Sequence, residues 1–159
     1  MNWTVAALTE FVQRLMSKGN PLKPSFLVEN TVAQNNVTGD GTTYTVQFAT
    51  TLFDQHGDFD GTSTFTTPAT GVYLFTFNVV MENLNGTSNL ANLVTSNKSY
   101  LLHRENGTEA AIAGYTINGS IICDMDEGDT ATVTVIEGGG SKTTDVSNGA
   151  SHFSGALIS

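Results

Sequence analysis

Several side chains of types that can do chemistry occur in this chain, but none stands in a catalytic context. Ser154 lacks the glycine two residues earlier that a nucleophile elbow requires, and His152 beside it lies at the start of a predicted strand. Cys123 lies in an apolar run with no basic neighbour that would stabilise a thiolate. The glycine runs at 39–41 and 138–140 lack the lysine and the following helix of a phosphate-binding loop. The sequence therefore predicts a protein that is not an enzyme.

Two acidic clusters carry the oxygen ligands that a hard cation prefers, because crowded carboxylates repel one another unless a positive charge lies between them. One cluster contains Asp54, Asp58 and Asp60 with His56 among them, and the other contains Asp124, Asp126, Glu127 and Asp129. Neither cluster has the twelve-residue spacing of a calcium-binding loop, and acidic residues also favour exposed turns. Calcium therefore stays open as a cofactor, with Asp54, Asp58 and Asp60 as the candidate ligands.

Composition predicts one all-β domain. The chain has 159 residues, is rich in Thr, Asn and Gly, and has only 13% charged residues, which favours short strands joined by many turns. A net charge of −9 would repel phosphate backbones and anionic membranes, so nucleic acid is excluded as a partner. The sequence shows no apolar segment long enough for membrane insertion and no signal peptide. Because there is one cysteine, no intrachain disulfide can form.

The first 20 residues are predicted to form a separate segment. Met1 to Lys18 reads as a helix, because Val5, Leu8, Val12 and Leu15 occupy the a and d positions of two heptads. Prolines at 21 and 24 then separate the helix from residues 21–159, the predicted head domain. The stripe would serve trimerisation or attachment to a shaft or virion, and packing against its own domain is the alternative.

The turn at Pro68 and Gly71 is followed by an aromatic strand that is apolar on both faces. Tyr73, Phe75, Phe77 and Val79 share one face, while Val72, Leu74 and Thr76 share the other. The second face must be covered by another layer or another subunit. The strands predicted after the linker are Ser25–Glu29, Thr42–Phe48, Ser63–Thr66, Val72–Glu82, Ser99–Arg104, Ala110–Ala113, Tyr115–Asp124, Thr130–Glu137 and Ser151–Ile158.

Four separated segments resemble the C1q-like head domains of the tumour-necrosis-factor-like superfamily. They are Lys23–Phe26, the stretch Phe53–Asp60 with Phe65–Phe77, the Gly-Asp turn at Met125–Asp129, and His152–Leu157. The resemblance implies an antiparallel jelly-roll sandwich of about ten strands that assembles as a homotrimer, with both termini at one end and variable loops at the other. Val72 and Leu74 would then join the helical stripe at the trimer interface.

The chain departs from many members of that family because it has no collagen-like repeat and no secretory signal. Its short helix and Thr- and Asn-rich head are similar instead to the tip of a viral fibre or spike, especially that of a bacteriophage. Three functions stay open: a virion-surface tip that recognises a host-cell protein or glycan, a structural decoration or fibre-assembly protein that binds other virion proteins, and a secreted recognition protein.

Counting strand directions from the termini predicts which loops lie at the distal end. Asn83–Asn97, Asp54–Gly61 and Gly138–Ala150 are expected there, and Asp124–Asp129 and Asn106-Gly107 at the base. The predicted binding residues of the distal loops are His56, Asp58, Asn85, Asn89, Lys142 and Asp145.

Overall fold

The computed structural model describes residues 24–106 and 112–159, which form strands, turns and bends and contain no helix. The strands are β1 (Ser25–Glu29), β2 (Gln34–Thr38), β3 (Tyr44–Thr45), β4 (Thr50–Asp54), β5 (Phe65–Thr66), β6 (Gly71–Leu84), β7 (Ser88–Thr95), β8 (Ser99–Asn106), β9 (Ile112–Met125), β10 (Thr130–Gly138), β11 (Thr144–Val146) and β12 (His152–Leu157). All strand pairs are antiparallel.

The strands form two sheets that pack face to face around one core. The first sheet has the order β2-β11-β6-β12-β1-β4, with β9 on the other edge of β6, and the second has the order β3-β10-β7-β8, with β5 also paired to β10. Strand β6 pairs with β9 from Gly71 to Leu84, so β12 and β11 share its opposite edge. The long strand β6 is therefore the centre of the first sheet.

The alternation in β6 matches the prediction. Tyr73, Phe75, Phe77 and Val79 are buried in the core, while Leu74 and Thr76 point away from it and are exposed. Inside the core, the ring of Phe26 stacks on Phe65 with 4.5 Å between ring centroids and meets Phe153 edge-on at 4.9 Å. Contacts among aromatic rings from both sheets thus hold the two layers together.

The sandwich has two distinct ends. The basal end contains the start of β1 and the C-terminus, since the Val72 N–H donates to the Ser159 carbonyl at 2.8 Å and the Leu157 N–H donates to the Pro24 carbonyl at 2.9 Å. The apical end is the opposite one, where Ser88 pairs with both Gly138 and Asn106. The loops at 30–33, 39–43, 85–87, 139–143 and 147–151 lie at or near the apical end.

Residues 24–106 and 112–159 contain twelve strands rather than about ten, because four segments that were not predicted as strands pair with neighbours. These are β2, β4, β7 and β11. Two predicted strands, Ala110–Ala113 and Tyr115–Asp124, are largely one strand, β9, and Thr42–Phe48 contributes only the two residues of β3. In β7, Ala91, Leu93 and Thr95 face the core between β8 and β10, so pairing on both edges outweighs the low strand propensity of asparagine.

The predicted N-terminal helix, with its stripe of Val5, Leu8, Val12 and Leu15, lies outside the described residues. Among residues 24–106 and 112–159, no helix is long and apolar enough to cross a membrane.

Candidate recognition surface

Glu137, at the end of β10, holds two apical loops from inside the protein. Its side chain is fully buried, and Oε1 accepts hydrogen bonds from the backbone N–H groups of Asn85, at 2.9 Å, and Gly86. Its backbone carbonyl accepts from the N–H groups of Gly39, at 3.1 Å, and Gly41, at 2.8 Å. The hydroxyl of Thr38 adds a contact, accepting from the Glu137 N–H at 2.9 Å. One residue therefore fixes the loops at 39–43 and 85–87 relative to each other.

Close backbone packing requires glycine beside this carboxylate. A Cβ at Gly86 would lie 2.5 Å from the carbonyl oxygen of Gly138, and one at Gly140 would lie 2.1 Å from Asn85 Oδ1. No side chain can be added at either position without moving the loops, so the apical end has one packed arrangement.

Asp145 joins two other apical segments. Its Oδ1 accepts from the Asn36 N–H at 2.6 Å, and its Oδ2 accepts from Asn83 Nδ2 at 2.7 Å. Both asparagines have left-handed backbones, with φ of 54° for Asn36 and 58° for Asn83, a conformation that asparagine tolerates better than most residues. The carboxylate thus fixes two left-handed backbone positions, one in β2 and one in β6.

Asn85 and Lys142 belong to the loops beside this cluster. The Asn85 side chain is exposed, donates to Thr143 Oγ1 at 2.8 Å and accepts from the Ser141 N–H at 3.2 Å. Lys142 is exposed, and its positive charge adds to the hydrogen bonds from Thr42 that lower the pKa of Asp40. The apical end therefore presents exposed groups of both charges, on loops that are held by hydrogen bonds to the buried Glu137.

The structure brings four of the six predicted binding residues to the apical end. Asn85 and Lys142 lie in its loops, and Asp145 lies in the short strand β11. Asn89 lies near the start of β7, where its Oδ1 is buried on the core side. The sequence did not single out Asn36, Asn83, Asp40 or Glu137. Glu137 could have been found, because it continues the alternating covered face of β10 after Ala131, Val133 and Val135.

The predicted distal placement of His56 and Asp58 is wrong. The loop Asp54–Gly61 lies at the basal end, because Asp54 pairs with Phe26 and the Gln55 N–H donates to the Ser25 carbonyl at 3.1 Å. The predicted basal placement of Asn106 is also wrong, since Asn106 pairs with Ser88 at the apical end. The error for Asn106 comes from dividing β9 into two predicted strands. The error for Asp54–Gly61 comes from counting β5, which has two residues and pairs at the basal start of β10, as a strand that crosses the sheet.

The carboxylates of the basal loop are largely occupied by backbone donors. Asp54 accepts from the N–H groups of Gly57, at 3.0 Å, and Phe59, at 2.9 Å. Asp60 Oδ1 accepts from the N–H groups of residues 62, 63 and 64 at 2.8 to 3.0 Å. These bonds outweigh the effect of burial, which acts in the opposite direction, and lower the pKa of Asp60 to about 2.

Asp58 has a different environment within the same loop. Burial, followed by repulsion from Asp54, raises the pKa of Asp58, while His56 acts against the shift. Its buried Oδ2 has no hydrogen-bond partner among the described residues and lies 4.0 Å from His56 Nδ1. Within the described parts of the chain, no three His, Cys, Asp or Glu side chains come together as a metal site.

The turn between β9 and β10 lies at the basal end, as predicted. Gly71 pairs with Met125, and the Thr67 N–H donates to the Asp129 carbonyl at 2.8 Å. Hydrogen bonds from Ser96 and the Asp126 backbone lower the pKa of Asp129. This second acidic cluster is therefore also a hydrogen-bonded turn.

The outward face of the first sheet carries exposed apolar side chains near the basal end. Leu74 of β6 is 37% exposed and pairs with Ile122 of β9, which is 59% exposed. Val72, half-buried, belongs to the same face, and Phe53 on β4 is 47% exposed. Ile122 was not predicted, although its place in an apolar run opposite Leu74 carries the same signal.

Side chains considered for catalysis have structural contacts. The Ser154 hydroxyl lies 2.7 Å from Thr76 Oγ1, and His152 Nε2 lies 3.8 Å from Glu29 Oε2. Cys123 is buried, and burial raises the pKa of its thiol while a hydrogen bond to Tyr100 acts in the opposite direction.

The fold and its motifs are those of the C1q and tumour-necrosis-factor-like sandwiches. Residues 26–158 match the model of the C1q domain, and the chain belongs to this family. A comparison with curated proteins found no match.

Solved structures share this fold at low sequence identity. The chain is similar to the globular domain of zebrafish complement 1qA protein, with 22% identity, a TM-score of 0.58 and coverage of 86% of this chain and 98% of that one. It is also similar to murine APRIL at pH 8.0, with 11% identity, a TM-score of 0.60 and coverage of 86% and 99%. At these identities the likeness establishes the fold alone.

Proposed function

We propose that this chain is a non-enzymatic, homotrimeric head domain at the tip of a viral fibre or spike, such as that of a bacteriophage. In this role it lies on the virion surface and binds a host-cell protein or glycan through its apical end.

The observation that supports the homotrimer in this proposal is the apolar patch on the outward face of the first sheet. Leu74 and Ile122 are paired across β6 and β9 and are both exposed. Half-buried Val72 and Ala156 lie on the same face, Ala156 opposite Leu74. A contiguous exposed apolar patch on a β-sheet is typical of a protein interface, and a second copy of the same head would cover it.

The geometry of the two ends supports recognition at the apical end. Residue 24 lies at the basal end, so the segment 1–20 would connect the head to a shaft or virion from that side. The apical end then faces away from the virion. Its exposed polar groups are presented on loops fixed by Glu137 and beside strands β2 and β6, which Asp145 joins. This arrangement places polar side chains without further loss of conformational freedom.

Composition supports a virion rather than a secreted setting. The single cysteine excludes the intrachain disulfides common in small secreted domains, and the strands are rich in Thr and Asn. A decoration protein that binds only other virion proteins and a secreted C1q-like recognition protein are the alternatives.

Attachment to cells tests the proposal. The fluorescently labelled protein is incubated with a panel of candidate host cells, and bound protein is measured by flow cytometry. The double variant Asp40→Ala/Lys142→Ala removes exposed apical charges, and the double variant His56→Ala/Glu127→Ala is the matched basal control. Loss of binding at least tenfold in the apical variant alone, with an unchanged melting temperature, supports apical recognition. Loss in the basal variant alone would invert the assignment, and binding to purified virion proteins but to no cell would favour the decoration protein.

A further inference from the structure

Glu137 uses only one of its two carboxylate oxygens to hold the apical loops. Oε1 accepts from Asn85 and Gly86, while Oε2 is buried and has no hydrogen-bond partner among the described residues. The two ion pairs found among those residues involve other carboxylates, Asp58 and Glu29. A fully buried carboxylate without a counter-charge is energetically unfavourable, because burial penalises the charged form.

Two further buried oxygens without a partner lie at the same end of the sandwich. Asn89 is directly opposite Glu137 in the pairing of β7 with β10, so their side chains share the core face, and Asn89 Oδ1 is buried and unpartnered within the described chain. Thr144 Oγ1 is also buried and has no hydrogen-bond partner among the described residues. Thr144 in β11 pairs with Thr38 in β2, and the Thr38 hydroxyl contacts the Glu137 backbone. Thr144 therefore lies one strand away from this contact, on the first sheet, which faces the sheet that contains Glu137.

We propose that Glu137 and Asn89, with Thr144 on the facing sheet as a further donor, bind a hard metal cation under the apical loops, with Ca²⁺ as the matching ion. The donors are a carboxylate, an amide carbonyl and a hydroxyl, all oxygen atoms, which suits Ca²⁺ and not the metals that prefer sulfur or imidazole. This site differs from the acidic loop at Asp54–Asp60, whose carboxylates are largely occupied by backbone donors.

The ion would also stiffen the apical end. Glu137 Oε1 already accepts hydrogen bonds from the backbone of Asn85 and Gly86. An ion bound to Oε2 would hold the carboxylate in place, and the carboxylate in turn holds the loop at 85–87. The inference concerns the single head and does not depend on trimerisation or on host recognition.

The test is the thermal stability of the full chain in EDTA and in increasing CaCl₂, with MgCl₂ at the same ionic strength as a control. At a Ca²⁺ concentration 100 times the Kd, the melting temperature of the wild type should rise by roughly 5–10 °C. Equilibrium dialysis should give one bound Ca²⁺ per chain.

Glu137→Gln is the informative variant because its amide oxygen can still accept from Asn85 and Gly86 and its NH₂ can donate to Asn89. It should fold, be at least as stable as the wild type in EDTA, and show no Ca²⁺-dependent shift. Asn89→Asp should be less stable in EDTA and show a larger shift with Ca²⁺, since it adds a second carboxylate. The exposed basal variant Glu127→Gln should respond like the wild type. No shift in the wild type, or a shift retained in Glu137→Gln, would overturn the proposal.

Discussion

At the residue scale, the core depends on a glycine that lets two aromatic rings meet. Gly155 of β12 lies between Phe26 and Phe75, and a Cβ at this position would be 2.7 Å from an atom of each ring. Because both rings are almost fully buried and contact other rings, neither can move far. The absence of a side chain here is a requirement of packing and not of backbone conformation.

Gly155→Ala should therefore destabilise the head by about 1–3 kcal/mol through overpacking. Urea unfolding followed by circular dichroism measures the change. The control is Gly114→Ala on β9, where the nearest atom to an added Cβ is 4.0 Å away. An equal loss in both variants would show that strand propensity, and not contact with the rings, is responsible.

Phe75→Ala should cost about 3–5 kcal/mol, because the ring is 1% exposed and its removal leaves a cavity between the two sheets. It packs against Phe65 at 5.8 Å and Phe153 at 6.0 Å between ring centroids. The neighbouring variant Leu74→Ala, on the exposed face, should cost far less in the isolated head. A loss below about 1 kcal/mol for Phe75→Ala would contradict its place in the core.

Asp60 should make stability depend on acid. Its pKa is lowered from 3.8 to about 2 in the folded state, so its contribution is complete above pH 4 and is lost as the pH falls through 2. Since the side chain is exposed, solvent screening limits the contribution to about 1 kcal/mol. Urea unfolding between pH 2 and pH 6 should show Asp60→Asn less stable than the wild type at pH 6, with the difference shrinking as the pH falls from 4 to 2. A constant difference across this range would contradict an ionic origin.

At the scale of the element, the strands with aromatic or β-branched alternation were predictable and the asparagine-rich ones were not. The patterns in β1, β6, β10 and β12 predict their strands because alternate residues meet the core. Strand β7 contains two asparagines and was predicted as a loop, yet it is paired on both edges. Its place is fixed by pairing with β8 and with β10, which is distant in sequence, and local propensity does not contain the second contact.

Errors in the predicted strands also decided which residues of the candidate site were assigned to the correct end of the sandwich. The predicted loop Gly138–Ala150, which contains β11 in the structure, follows the well-predicted strand β10, so Lys142 and Asp145 were assigned to the correct end. His56 and Asp58 precede the predicted strand Ser63–Thr66, which is only the two-residue β5 at the basal end and does not cross the sheet, so their assignment was reversed. Contacts such as the bond from Asn36 to Asp145 join residues far apart in sequence and leave no local pattern.

Hydrogen exchange should rank the strands by their position in the first sheet. Amides of β6 from Tyr73 to Val79 have partners on both sides of the strand and buried side chains on one face, so they should exchange most slowly. Strand β4 is an edge strand with mostly exposed side chains and should exchange much faster. Mass spectrometry of peptides covering 50–54 and 73–79 measures both regions. Equal protection would indicate that β4 is covered by another molecule.

At the scale of the whole molecule, the two faces of the first sheet have different roles. The inner face carries the aromatic core, while the outer face carries Leu74 and Ile122 near the base. The acidic and polar groups described above lie mainly in turns at the two ends, away from this patch. Since the net charge is −9, an assembly must keep its acidic groups apart, and an apolar contact surface does so.

The wild-type chain should therefore be a trimer at micromolar concentration, with the patch at Leu74 and Ile122 in the interface. Leu74→Asp/Ile122→Asp should lower the mass measured by light scattering coupled to gel filtration from three chains to one, because each charge would have to be buried without a partner. The circular dichroism spectrum should be unchanged, since both side chains point away from the core of the monomer. Val32→Asp is the matched control, because Val32 is 60% exposed but lies in the loop after β1 near the apical end. A wild-type monomer would refute the trimer, and a double variant that remains trimeric would place the interface elsewhere on the head.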